Sequence, residues 1–95
     1  MMAVGRVVAI VRVLPEDVET PPEKIVDAIK RSLPPETYEV LKTRVEPVAF
    51  GINAVYVWVA MPEDIEGGTS DLERRLAEAP GVSQIDVVSV SRLLE

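Results

Sequence analysis

The sequence contains neither cysteine nor histidine. The lack of cysteine excludes disulfide bridges and thiolate metal sites, and the lack of histidine removes the commonest metal ligand and the commonest general base. The serines at positions 83, 89 and 91 therefore have no base to activate them as nucleophiles. Much of enzymatic chemistry is thereby excluded, and we expect no catalytic residue, no cofactor and no metal site.

Long hydrophobic runs are also missing. No stretch of 18 or more apolar residues is present, and the apolar N-terminal stretch is interrupted by Arg6 and Arg12 and lacks a small-residue cleavage pattern. We therefore expect a soluble, cytoplasmic protein without a membrane contact. With 95 residues, the chain is expected to form one domain, residues 1–95, with a single core.

Positive charge is scarce relative to negative charge. The formal net charge is −6, and the acidic residues are spread along the chain. Non-specific attraction to nucleic acid or to an anionic membrane should be weak, so no direct nucleic-acid binding is expected. The acidic loop EDIE, residues 63–66, lacks the alternating spacing of a calcium loop, and Gly67 and Gly68 after it are typical of a flexible turn.

Hydrophobic periodicity divides the chain into two halves with the same order of elements. β-Branched runs predict strands at residues 4–14, 37–45, 52–61 and from 82 onward, while apolar residues at helical spacing predict helices at 21–33 and 69–79. Thr20 with Glu23, and Ser70 with Glu73, have the spacing of capping boxes for these helices.

The order strand, helix, strand, strand, helix, strand predicts an α+β fold. Right-handed crossovers then give the ferredoxin-like βαββαβ sandwich, in which a four-stranded antiparallel sheet carries both helices on one face. The first and third strands, which are the most apolar, should lie in the middle of this sheet.

The sheet face without helices should carry Tyr56 and Trp58 beside Val8 and Ile10. Loops or the C-terminal end of the chain can cover this apolar patch, and a homodimer through the open sheet face can bury it. Alternatively, the two rings form a stacking platform for RNA bases. The net charge of −6 and the lack of a basic rim favour the packing interpretations.

Three segments together resemble a known family. EPVAFG before an apolar strand, EGGT at the end of the acidic loop, and DVVSVSRL near the C-terminus are similar to the guanine-nucleotide exchange domain of the elongation factor 1-beta family, in its archaeal stand-alone form. The resemblance covers essentially the whole chain. It implies a factor that promotes GDP-for-GTP exchange on translation elongation factor 1-alpha during protein synthesis, without breaking bonds.

The resemblance also implies which residues contact the partner. These are the turn residues Ala49, Phe50 and Gly51, with Phe50 as a hydrophobic wedge, and the C-terminal Arg92 and Leu93, with Arg92 as a cation near the Mg²⁺ and phosphate site. Arg92 stands where family members carry lysine. Without the resemblance, Phe50 would be interpreted as a side chain at the edge of the core and Arg92 as a solvated charge. The alternative functions are a small ligand-binding regulatory module and, with less support, an RNA-binding module.

Overall fold

The computed structural model describes residues 5–65 and 67–92, and the predicted order of elements is confirmed. The elements are β1 (Arg6–Pro15), α1 (Pro22–Ser32), β2 (Glu39–Pro47), a short 3-10 turn (Ala49–Gly51), β3 (Asn53–Pro62), α2 (Ser70–Ala77) and β4 (Val82–Arg92). Within this described part of the chain, neither helix is long and apolar enough to cross a membrane.

The four strands form one antiparallel sheet in the order β2-β3-β1-β4. The two most apolar strands, β1 and β3, are central, as predicted. In their register Val11 lies opposite Val57, while Ile10 lies opposite Trp58. Since neighbouring residues of a strand point to opposite sides, the sheet has one apolar face and one mixed face, which we call the open face.

The core lies between the apolar face of the sheet and the two helices. The odd-numbered residues from Ala9 to Val13 and from Val55 to Met61 are buried there, and each helix contributes residues spaced four apart on one side. The side chains that are less than 2% exposed include Val11, Val13, Ile25, Ile29, Val55, Val57, Val59, Met61, Leu72 and Leu76. This packing confirms the ferredoxin-like arrangement with both helices on one face.

The starts of both helices differ from the predicted capping boxes. Helix α1 begins at Pro22 with Pro21 as its N-cap, and no side chain caps it. Because a residue that precedes a proline is kept out of the helical region, Pro21 stays extended, and Thr20 lies one residue too far from the helix to cap it. Helix α2 has Thr69 rather than Ser70 as its N-cap, and the Thr69 hydroxyl donates a hydrogen bond to Glu73 Oε2 over 2.7 Å.

A polar cluster fastens α2 to the segment that leads into β2. The buried Tyr38 hydroxyl donates to Asp71 Oδ2 over 2.8 Å, and Asp71 also accepts from Arg75 Nε over 2.7 Å and from Arg74 Nη2 over 2.6 Å. The hydrogen bond from Arg75, followed by that from Tyr38, lowers the pKa of Asp71 to about 2. Burial, together with the hydrogen bond to Asp71, raises the pKa of Tyr38 to about 12.

Candidate functional site

A tight turn joins β2 to β3 and carries the predicted Ala49, Phe50 and Gly51. The Val48 amide donates to the Ile52 carbonyl over 2.8 Å, and the Ile52 amide donates to the Ala49 carbonyl over 3.2 Å. To close this turn, Phe50 adopts φ 60° and ψ 34°, and Gly51 follows at φ 77°. Glycine adopts this left-handed conformation without strain, so Gly51 suits its position. At Phe50 the same conformation costs about 1–2 kcal/mol, because the residue is not a glycine.

The Phe50 ring projects from this turn into solvent. Its residue is 94% exposed, which is the largest exposure among the described large hydrophobic residues. Val45 and Val48, at 44% and 40% exposed, add apolar surface on the segment that leads into the turn. The backbone strain at Phe50 is therefore not offset by any burial of the ring within the chain, so the interpretation of Phe50 as an edge-of-core side chain is wrong.

Arg92 is the last residue of β4 and lies opposite Val7 of β1. Its Nη2 atom forms an ion pair of 2.9 Å with Glu63 Oε2, in the loop that follows β3. The Arg92 side chain is 69% exposed, so most of the guanidinium faces solvent. Leu93, the other residue predicted at this terminus, lies outside the described residues.

Glu63 lies beside Gly5, the residue before β1. The Glu63 amide donates to the Gly5 carbonyl over 3.0 Å. A Cβ atom on Gly5 would lie only 2.7 Å from Glu63 Oε1 and 2.9 Å from its carboxyl carbon. The absence of a side chain at Gly5 therefore allows the Glu63 carboxylate to lie close over the backbone, where it meets Arg92.

The turn with Phe50 and the terminus with Arg92 lie at opposite ends of the sheet. The turn adjoins the end at which Val13 pairs with Val55, whereas Arg92 pairs with Val7 at the other end. The whole of β3, ten residues long, lies between them, which corresponds to roughly 30 Å at the usual rise along a strand. The structure thus does not bring the predicted site residues together.

The open face carries the two remaining aromatic rings that the sequence singled out. Lys42 Nζ lies 4.7 Å from the centroid of the Trp58 ring, and the Arg44 guanidinium carbon lies 5.4 Å from that of Tyr56. These basic side chains of β2 lie on the rings in the geometry of cation–π contacts. Basic side chains of the neighbouring strand therefore cover part of each ring.

The expectation that no basic residues surround these rings is wrong. The strand registers put four basic residues on the open face, and among them Arg12 pairs with Asp86 over 2.9 Å and Arg6 pairs with Glu39 over 2.8 Å. The full set is Arg6, Arg12, Lys42 and Arg44. Three of the four also lie within salt-bridge distance of a carboxylate, which reduces their attraction for a polyphosphate. A homodimer through the open sheet face stays a prediction.

Acidic residues do not converge on a metal position in the part of the chain that the structure describes. No group of three carboxylates there has the arrangement needed to hold an ion. The EDIE segment includes Glu66, which lies outside the described residues. Gly67 and Gly68, both at positive φ, form the turn that precedes α2.

Sequence reasoning missed Gly5, Glu63 and the two basic residues on the aromatic rings. Glu63 was interpreted only as one acid of a solvated loop. Its contact with Arg92 joins residues 29 positions apart, and only the pairing of β1 with both β3 and β4 brings them together. The alternation of side chains between the two faces of β2 is the signal that would place Lys42 and Arg44 beside the rings. A register shift between Val40 and Lys42 interrupts this alternation.

A comparison with protein families matches residues 8–93 to the EF-1 guanine nucleotide exchange domain. Among curated proteins, the chain is similar to "Elongation factor 1-beta" of three organisms. The chain is 44% identical to the protein of Thermofilum pendens over 88 residues, which are 93% of this chain and 96% of the relative. It is 45% identical to that of Ignicoccus hospitalis, with 98% of each covered, and 47% identical to that of Desulfurococcus amylolyticus, with 94% and 98% covered.

A comparison with solved structures gives a more distant likeness. The solution structure of the C-terminal domain of the MgtC protein from Mycobacterium tuberculosis superposes with a TM-score of 0.59 and covers 97% of this chain and 90% of that one. The two sequences are only 14% identical, so this likeness concerns the fold alone.

Proposed function

The chain belongs to the EF-1 guanine nucleotide exchange domain family, and on that premise we propose how it acts on its GTPase. It is a guanine-nucleotide exchange factor of translation elongation. Its partner is translation elongation factor 1-alpha, on which it promotes replacement of GDP by GTP in the cytoplasm. No bond is broken in this exchange, so the factor acts by binding alone and needs no catalytic acid or base.

The exposed, strained Phe50 is the observation that best supports this proposal. A phenyl ring that is 94% exposed on a left-handed residue has no role in the core of its own chain. It suits a ring that enters an apolar pocket of a partner, because nearly all of its surface is available for burial there. We assign Phe50 the role of a wedge, with Ala49 and Gly51 as the turn that presents it.

Arg92 is the second contact that we propose. Its guanidinium is permanently charged and largely exposed, and it lies at the end of an edge strand from which it can reach outward. A cation that approaches the Mg²⁺ and phosphate site of the GTPase weakens metal binding through charge repulsion and competes for the phosphate oxygens. We propose that Arg92 acts in this way, with Leu93 beside it in the contact.

The separation of roughly 30 Å between the two contacts suits a factor that touches two distant parts of its partner. An exchange factor must bind the empty GTPase more tightly than the GDP-bound one, because a ligand shifts an equilibrium only by its differential affinity. Contacts at both ends of a rigid sheet satisfy this requirement when only the empty conformation offers both sites at the right spacing.

The test is the release of a fluorescent GDP from elongation factor 1-alpha in the presence of excess unlabelled nucleotide. The wild-type chain should accelerate release, while Phe50→Ala and Arg92→Ala should each reduce the acceleration. Leu41→Ala is the matched control for Phe50, since Leu41 is also exposed and apolar but lies on the edge strand away from the turn. An equal loss in the Leu41 variant would contradict a specific role for Phe50.

A further inference from the structure

The ion pair between Arg92 and Glu63 leaves most of the guanidinium free for a further contact. The contact, 2.9 Å long, joins one terminal nitrogen, Nη2, to one carboxylate oxygen. A guanidinium has five N–H donors in a fixed planar fork, so one edge can stay on a carboxylate while another edge meets a second anion. This property distinguishes the arginine from a lysine, whose single ammonium group on a flexible stem has no second edge.

The Glu63 side chain lies closer to the protein surface than that of Arg92 does. Its side chain is only 30% exposed, against 69% for that of Arg92. Its amide is bonded to the Gly5 carbonyl, and its carboxylate lies so close over Gly5 that a methyl group there would collide with it. An ion pair with this carboxylate restricts the rotamers of the exposed arginine, whose long side chain otherwise has much rotamer freedom.

We propose that Glu63 positions the Arg92 guanidinium for nucleotide exchange, and that Gly5 is required because it makes room for the Glu63 carboxylate. The inference rests on the proposed role of Arg92 in exchange. Glu63 itself does not touch the nucleotide site. It limits the arginine to orientations in which the free edge points outward, so that less side-chain freedom is lost when the guanidinium meets the phosphates.

The experiment measures the maximal rate of fluorescent GDP release from elongation factor 1-alpha and the factor concentration that gives half of it. Glu63→Gln should lower the maximal rate about threefold, because an exposed ion pair is worth a few tenths of a kcal/mol to about 1 kcal/mol. The half-saturating concentration and the melting temperature should change little. Glu39→Gln is the matched control, since Glu39 pairs with Arg6 over 2.8 Å at the same end of the sheet and should leave the rate unchanged.

A second variant tests the placement without changing any charge. Gly5→Ala keeps the Glu63 carboxylate but forces it away from its position, so it should lower the maximal rate to the same extent as Glu63→Gln. Each change is then repeated in the Arg92→Ala background. If Glu63 and Gly5 act through Arg92, neither change should lower the rate further there.

Three results would overturn the inference. The first is an unchanged or faster exchange with Glu63→Gln. The second is a loss of maximal rate with Glu39→Gln that equals the loss with Glu63→Gln. The third is a loss of maximal rate on changing Glu63 or Gly5 that is just as large in the Arg92→Ala background. If instead the proposed role of Arg92 is wrong, the Arg92→Ala variant should promote GDP release as fast as the wild-type chain does. The Arg92→Ala measurement therefore separates the two failures.

Discussion

Replacing Phe50 by glycine should make the protein more stable and less active at the same time. Phe50 occupies the left-handed region at φ 60°, which costs a non-glycine residue about 1–2 kcal/mol, and its ring is 94% exposed and so contributes almost nothing to the core. Glycine removes the strain but adds freedom to the unfolded chain. The net gain should be about 1 kcal/mol, or roughly 4–8 °C in Tm for a domain of this size.

The same substitution should slow nucleotide exchange. Complete burial of a phenylalanine side chain contributes about 2 kcal/mol, so its loss should lower kcat/KM for GDP release by roughly 30-fold. Phe50→Ala should show the same functional loss without the full gain in stability, because alanine keeps a Cβ atom at positive φ. Thermal unfolding and stopped-flow release of fluorescent GDP measure the two effects on the same preparations.

The reasoning would be refuted if Phe50→Gly lowered the Tm, since that would mean that the strain at Phe50 is smaller than the effect of the freedom that glycine adds to the unfolded chain. It would also be refuted if both Phe50 variants exchanged nucleotide at the wild-type rate. A protein that gains stability and keeps full activity would show that the strain at Phe50 has no connection with the partner.

Arg92→Ala should reduce the maximal rate of GDP release more than it weakens binding to elongation factor 1-alpha, whereas equal losses in a binding titration and in the release assay would indicate simple docking. Because the pKa of Asp71 falls to about 2 in the folded protein, the contribution of Asp71 to stability should be present above about pH 4 and lost as the pH falls from 4 towards 2. In urea unfolding, Asp71→Asn should remove that part of the pH dependence. Because the pKa of Tyr38 rises to about 12, the contribution of Tyr38 to stability should be constant below pH 10 and lost between pH 10 and 12, and Tyr38→Phe should lack this loss. The association rate with the GTPase should fall as salt is added, because the chain has a net charge of −6 and its docking is expected on a cationic surface; a rate that is independent of salt would count against this.

The arrangement of the strands could be predicted from the sequence because alternation and burial agree in β1 and β3. Ile10 and Trp58 were assigned to the open side, and the register confirms that they lie opposite each other there, while Val11 and Val57 are buried on the helix side. The helix starts were predicted less well. Two prolines in succession shift the start of α1 to Pro22, which depends on backbone restriction rather than on the capping pattern that Thr20 and Glu23 display.

The site was only partly accessible to sequence reasoning. A glycine after a phenylalanine indicates a turn, but nothing in the sequence requires the phenylalanine itself to adopt positive φ, and that strain emerges only from the structure. The contact of Glu63 with Arg92, and the distance between Phe50 and Arg92, depend on which strand ends meet at the same edge of the sheet. Spacing along the chain carries no information on either.

The central claim is that the chain acts as an exchange factor and not only as a binding partner. The most direct measurement mixes a small amount of the protein with a large molar excess of elongation factor 1-alpha loaded with fluorescent GDP, and follows release into excess GTP. We expect each molecule of the protein to release GDP from many molecules of the GTPase, at a rate proportional to the amount added. Release at the spontaneous rate, or release that stops at one equivalent, would contradict the claim.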